Sequence, residues 1–360
     1  MLLLSFERRG IANAQSGLHA ALRFLNSLLA SGTAVYQSLS DVRLKTERFP
    51  EGRLFPGGTV VCGAVSGAAG EPLFCDGVDD AEFAAREGAF RKLSAPGPTA
   101  FYAGLNSADF CSVPYRRVLE SMGFEFTPLT DEDIREGRLD DFELLIVPGG
   151  PDAGESYYQG LGERGFDNIR NFVRGGGRYL GSCAGSYLPL TGDTGTPENR
   201  MWLNLVPALD KSGLDYWRTG AGFVRVSFRG GGPLTFGLDY GNGTTLDVIY
   251  WEGPVFSKLG EGVEVFARFE SFIASGDRPP FWDLGSSGPA AELPGWYNAL
   301  DAGRFEAHMS SQPAALRAKV GKGKAVLYSF HPEFGYPNCS FESDPVHLLI
   351  ANAIYDLFLN

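Results

Sequence analysis

The chain lacks most of the features that make a function easy to assign. Its 360 residues hold only four histidines and five cysteines. The cysteines (Cys62, Cys75, Cys111, Cys183 and Cys339) are odd in number and contain no Cys-x-x-Cys pair. That excludes a complete disulfide framework and argues against zinc-ribbon or thioredoxin-like chemistry. His19, His308 and His347 show no ligand spacing with other histidines or acids, so no metal and no cofactor are expected. No apolar run reaches about twenty residues, so no membrane span is expected. Lys/Arg-rich runs are also absent and the formal charge is −12. A nucleic-acid partner, which needs a basic surface for phosphates, is therefore not expected either. There are no internal repeats and no low-complexity tracts.

What is present is ordinary for a soluble globular chain, with 44% hydrophobic and 21% charged residues. Glycine is the exception: 48 residues imply many tight turns and close backbone approaches. Residues 1–30 carry Arg8, Arg9 and Arg23 against one acid, Glu7. This reads either as a targeting segment or as an amphipathic helix with Leu18, Leu22, Leu25 and Leu29 on one face. Without a settled targeting signal, the expected location is cytoplasmic. A helical period over 79–93 uses Phe83, Phe90 and Leu93, and Pro96-Gly97-Pro98 then closes the region. Residues 1–95 are expected to be an N-terminal extension or small subdomain, and residues 96–360 the main domain.

After Pro98 the pattern sharpens. Short apolar runs at 99–103, 124–128, 141–147 and 178–181 alternate with helical stretches at 113–122, 131–137 and 166–173. Such alternation predicts right-handed βαβ units around a parallel sheet. The stretch 200–300 instead holds β-rich runs at 223–228, 245–250 and 263–269, expected to elaborate the sheet. A further strand at 325–330 and a helix over 345–359 complete the pattern. Sites in such sheets lie at the carboxyl ends of the strands. That points to the loops at 104–112, 148–155 and 181–187.

The third loop holds Gly181-Ser182-Cys183-Ala184-Gly185. A nucleophile on a sharp strand-to-helix turn is forced outward, and flanking glycines let the elements pack closely around it. By composition alone the pentapeptide pattern is expected about 0.09 times per chain of this kind, so by itself it is weak. Phe330-His331-Pro332-Glu333, at the end of a predicted strand, is rarer, with an expectation of about 0.015. Residues i and i+2 of an extended segment share a side, so Glu333 can hold one imidazole nitrogen of His331 while the other serves the thiol. Val147-Pro148-Gly149-Gly150-Pro151 supplies the third element. Gly149 and Gly150 expose backbone N–H groups, and the N–H of Gly150 with that of Ala184 could form an oxyanion hole. Tyr250-Trp251 reads more readily as core than as pocket lining. Cys111 is expected at the site edge as a neutral thiol, and Cys339 to approach the site from beyond Glu333.

These motifs together resemble the class I glutamine amidotransferase-like superfamily. The strings LLIVPGG, GGGRYLGSCAGSYL and YSFHPEF look most like the biotin-protein ligase N-terminal-domain family, over some 260 residues from about Thr99 onward. The resemblance implies an α/β, flavodoxin-like three-layer sandwich with a mostly parallel sheet and a β-rich insertion. It implies Cys183 as nucleophile, His331 as base and Glu333 as orienter, acting on a small-molecule amide. An ammonia-accepting protein partner of unknown identity belongs to the same implication. Glutaminase members usually carry Gln four residues after the nucleophile, where this chain has Tyr187. Glutamine as substrate therefore does not follow, and a non-catalytic binding or regulatory module on the same fold is the alternative. No biotin ligase catalytic region is recognisable, and biotinylation is not expected.

Overall fold

The structure, a computed structural model, describes residues 1–5, 14–63, 74–211, 220–229, 232–238, 245–275, 300–334 and 346–359. Cys339 lies outside the described residues.

In the first 95 residues, β1 (Leu2–Ser5), helix α1 (Ala14–Ala30), β2 (Val35–Ser38), β3 (Val42–Leu44) and β4 (Arg53–Phe55) are followed by β5 (Val60–Cys62), β6 (Phe74–Gly77), α2 (Asp80–Ala84) and β7 (Phe90–Lys92). Five of these strands form an antiparallel sheet in the order β6-β1-β5-β2-β7, and β3 pairs with β4 alone. The helix expected over 79–93 stops after Ala84. Phe90 pairs with Ser38 as strand instead, and its ring and Leu93 enter different apolar clusters. An extended chain puts residues three apart on opposite faces, whereas a helix would put them together.

Helix α1 accounts for the leucine spacing. Leu18, Leu22, Leu25 and Leu29 are buried in one cluster with Val118, Leu119 and Met122 of the main domain. Each such leucine contributes about 1.5–3 kcal/mol of apolar burial. Polar ties fix the helix's position: Arg23 donates to the Ser121 carbonyl (2.8 and 3.0 Å) and Asn26 to that of Met122 (2.9 Å).

The main domain runs β8 (Thr99–Tyr102), α3 (Asp109–Ser121), β9 (Thr127–Leu129), α4 (Asp131–Arg135), β10 (Leu144–Val147), α5 (Glu155–Gly175), β11 (Arg178–Ser182) and α6 (Ala184–Tyr187). It continues with β12 (Leu190–Asp193), β13 (Val206–Asp210), β14 (Ala221–Phe228), β15 (Thr245–Trp251), β16 (Phe256–Ser257), β17 (Val263–Ser275), α7 (Ala302–His308), β18 (Pro313–Val320), β19 (Gly323–Tyr328) and α8 (Leu348–Leu357). Nine strands form one sheet in the order β15-β14-β17-β18-β19-β11-β10-β8-β9. From β9 to β19 every ladder is parallel. From β19 to β15 every ladder is antiparallel, and this half contains the expected β-rich insertion.

Strand alternation produces the layers. Leu144 and Ile146 of β10 join the cluster containing α1, α3 and α8, while Leu145 and Val147 join the one containing α5 and α6. The result is a three-layer α/β sandwich of flavodoxin-like type. The carboxyl ends of β10, β11 and β19 lie side by side, with Val147 opposite Gly181 and Ser182 opposite Tyr328. That register brings the three motifs together.

Candidate active site

The chain leaves β11 and reverses at Cys183, whose φ of 51° and ψ of −117° are a conformation that L-residues rarely adopt. Holding it costs on the order of 1–3 kcal/mol, which surrounding contacts must supply. The Cys183 N–H donates to the Tyr328 carbonyl (3.0 Å), and the Ser186 hydroxyl donates to the same oxygen (2.8 Å). Both flanking glycines are obligatory. A Cβ on Gly181 would lie 2.3 Å from the Gly185 carbonyl oxygen, and one on Gly185 would lie 2.0 Å from that of Val147. The helix after the elbow is a single turn of four residues. Electrostatic help to a thiolate therefore comes from local N–H groups rather than from a long dipole.

His331 is fixed at the end of β19 by a bridge to Ile249, its N–H donating to that carbonyl at 3.0 Å. Its Nδ1 lies 2.7 Å from Glu333 Oε1, with both side chains at most 1% exposed. The two-residue spacing thus does what the extended geometry predicts. Phe334 stacks on the imidazole at 4.6 Å. Nε2 is buried, and the Cys111 thiol lies beside the ring. Burial opposes charge on this ring, but the acidic groups around it, Cys183, Glu333 and Cys111, outweigh it, holding its pKa well above the ordinary histidine value.

Cys183, His331, Gly150 and Ala184 all line one cleft of about 40 Å³, together with Phe110 and Trp251. That is room for one or two water-sized groups. Gly149 stands behind the lining: a Cβ there would meet Cys111 Sγ at 2.7 Å and His331 Cε1 at 3.0 Å. Gly150 packs on the Asn106 backbone, where a Cβ would lie 2.0 Å from the carbonyl oxygen. The buried Asn106 side chain clamps this loop by exchanging hydrogen bonds with the backbone of Asp152 (2.8 and 3.2 Å).

The ceiling of the site comes from the antiparallel half. The Cys183 thiol donates to the Trp251 carbonyl at 3.2 Å, and the Tyr187 hydroxyl donates to the Glu252 carbonyl at 3.0 Å. Glu252 has a φ of 50°. A Cβ on Gly253 would lie 1.7 Å from the Ser329 carbonyl oxygen, so this turn sits directly on the end of β19. Tyr250 is core, as its sequence context suggests, but Trp251 and Glu252 line the cleft. Trp251 also packs against Phe110 at 5.2 Å. Neither Asn106 nor the Glu252 contact carries a sequence signal beyond lying near a strand end.

Cys111 belongs to the first turns of α3 rather than to the preceding loop. Its thiol is fully buried, and burial pushes its pKa up to about 12, so it is neutral. Donor atoms of Cys111, His331 and Glu333 lie within 4.8 Å of one another. The mutual bond of His331 Nδ1 and Glu333 Oε1 already occupies two donor atoms. Zinc at this cluster would need ligands from elsewhere.

Parts of the chain are similar to known proteins. Residues 106–191 match the family described as "Biotin-protein ligase, N terminal". A biotin–protein ligase of Schizosaccharomyces pombe is 27% identical over 208 residues, which covers 56% of this chain and 26% of that protein. An uncharacterised protein of Chlamydia muridarum is 49% identical over 45 residues, 12% of this chain and 17% of that one. The chain thus aligns with no more than about a quarter of these curated relatives. Among solved structures, a glutamine amidotransferase aligns over 71% of this chain and 99% of its own, with 20% identity and a TM-score of 0.44. A glutamine amidotransferase from Thermotoga maritima covers 66% and 77%, with 15% identity and a TM-score of 0.38. Residues 106–191, from the first βα loop through the elbow, thus resemble the biotin-protein ligase N-terminal family. Among the described residues, no helix is long and apolar enough to cross a membrane.

Proposed function

We propose that this glutamine amidotransferase-like domain hydrolyses a small amide through a thioester on Cys183. The observation that carries the reading is the buried 2.7 Å bond between His331 Nδ1 and Glu333 Oε1, on a histidine that shares one cleft with the outward-turned Cys183. A carboxylate fixing one ring nitrogen leaves the other to exchange protons with a thiol. In the proposed reaction Sγ, its proton taken by His331, bonds to the amide carbon. The oxyanion is held by the N–H groups of Gly150 and Ala184. The C–N bond then breaks as His331 returns the proton to the leaving amine, and water, deprotonated by His331, cleaves the thioester.

Tyr187 bears on the substrate. It stands four residues after Cys183, where glutaminase members of the resembled superfamily usually carry Gln; its ring is buried and its hydroxyl donates to the Glu252 carbonyl. The amide is accordingly proposed to be one other than free glutamine, narrow enough for the cleft.

Turnover of a panel of primary and secondary amides, followed by mass analysis of trapped adducts, tests this. Cys183→Ala is expected to lose all turnover and all adduct; undiminished turnover in that variant would sink the mechanism. The same cleft favours a second reading, since the Trp251 carbonyl already engages the thiol. A binding module would show ligand-induced stabilisation without any Cys183 adduct.

A further inference from the structure

The carbonyl of Glu333 is held from outside the parallel half of the sheet. His347, at the start of α8, is fully buried, with Nε2 3.2 Å from the Glu333 carbonyl oxygen. Its Nδ1 lies 2.8 Å from Nε2 of His19 on α1, and the two rings stack at 5.0 Å. Nδ1 of His19 in turn lies 2.8 Å from the Ser121 hydroxyl at the end of α3. Proton directions along this chain follow from one end. A backbone carbonyl only accepts, so His347 Nε2 carries the proton and its Nδ1 accepts. His19 must then donate from Nε2, leaving its Nδ1 to accept from Ser121. The Ser121 hydroxyl also has the Val118 carbonyl within 2.9 Å, so its proton is shared between two acceptors and the firm bonds are the two made by imidazole N–H groups. Both rings are neutral in this arrangement. Burial lowers the pKa of His19 to about 4 and that of His347 well below the ordinary value, as the neutral chain requires.

We infer that His19 and His347 are positioning residues that hold the Glu333 backbone, and through it the His331–Glu333 pair, from the N-terminal segment of the chain. The catalytic consequence rests on the function proposed above; the structural one does not. Glu333 orients His331 only while its carboxylate stays 2.7 Å from Nδ1, and that distance depends on where the 331–333 turn is anchored. One side of the turn is anchored by the Ile249 bridge. The imidazole chain anchors the other, and it brings α1 to within two hydrogen bonds of Glu333. This gives residues 1–95 a role that their own sequence does not suggest.

The test uses the full chain with His19→Phe, which keeps a ring but removes the donor, and His19→Gln, which restores an amide donor and acceptor. Two readouts are followed: the downfield Nδ1–H proton resonance of His331, and the alkylation rate of Cys183. His19→Phe is expected to shift the resonance and slow alkylation about threefold to tenfold, with His19→Gln recovering at least half of both. Ser121→Ala, milder in packing, is expected to move both readouts in the same direction by less, and serves if His19→Phe does not fold. A folded His19→Phe protein with an unmoved resonance and rate would overturn the inference, as would unmoved readouts in Ser121→Ala where that variant stands in. Should Cys183 fail to react even in the parent chain, the hydrolase reading falls while the His331 resonance still decides this one.

Discussion

The two halves of the nine-stranded sheet do different work at the same cleft. The parallel half has strands of three to six residues and sets the Cys183 elbow largely by backbone packing. Gly181 and Gly185 have no clearance for a Cβ, and Cys183 is held with a φ of 51°. The antiparallel half has longer strands, with the ladder between β14 and β17 broken by register shifts, and delivers the Trp251–Gly253 turn onto the elbow. One half makes the elbow and the other makes the mouth of the cleft. The turn meets the elbow through the Cys183–Trp251 and Tyr187–Glu252 bonds and the close approach of Gly253 to Ser329.

The sharpest way to break this comparison is Gly185→Ala. Its new Cβ would press on the Val147 carbonyl at 2.0 Å, and the expected loss is roughly 3 kcal/mol or more, read from urea denaturation. A loss within 1 kcal/mol would mean that the parallel half does not fix the elbow as described. Next comes acid, which should act on the helical layer carrying α1. The pKa of His19 is lowered to about 4 chiefly by burial and then by Arg23. Above pH 6.5 neither folded nor unfolded chain binds a proton there, and the full stability is present. Between pH 6.5 and about 4 the unfolded chain takes the proton first, so stability falls as pH drops, then levels off. For this group the fall should be about 3 kcal/mol. His347 adds to it with the same sign. His19→Gln should flatten this limb; an unchanged pH profile in that variant would count against the assignment. The smallest effect is expected for Tyr187→Phe, which removes only the 3.0 Å bond to the Glu252 carbonyl. A cost of about 1 kcal/mol is expected, with a looser mouth seen as faster Cys183 alkylation. Slower alkylation would assign Tyr187 to the elbow instead of to the mouth.

The parallel half was largely legible in the sequence because its signals are local. Apolar runs of strand length, glycines at their ends and amphipathic helices place the elbow and the Pro-Gly-Gly turn at adjacent strand ends. His331 and Glu333 were legible for the same reason, since two residues of one extended segment need no tertiary information to meet. Local signals also misled. The helical spacing over 113–122 set the helix start near Val113, but α3 begins at Asp109, with Pro114 accommodated inside it, and so carries Cys111. Phe90 and Leu93 mimicked a helical period while sitting on opposite faces of a strand-bordered segment. What could not be read was long-range. The Trp251 carbonyl reaches Cys183 across 68 positions, and His19 reaches His347 across 328. Neither pairing has a periodicity, because each depends on how whole layers stack.

The bond from the Cys183 thiol to the Trp251 carbonyl has a practical consequence for covalent chemistry. In the resting protein this carbonyl is matched by an S–H donor. An electrophile that alkylates Cys183 removes this S–H bond to the carbonyl, worth about 0.5–1.5 kcal/mol. Warheads that carry an N–H two bonds from the reacting carbon, such as chloroacetamides, can donate to that carbonyl in its place. Simple alkyl halides of equal intrinsic reactivity cannot. The turn should therefore sort thiol-directed reagents by what they bring alongside the reactive carbon, and that preference offers a starting point for a selective label.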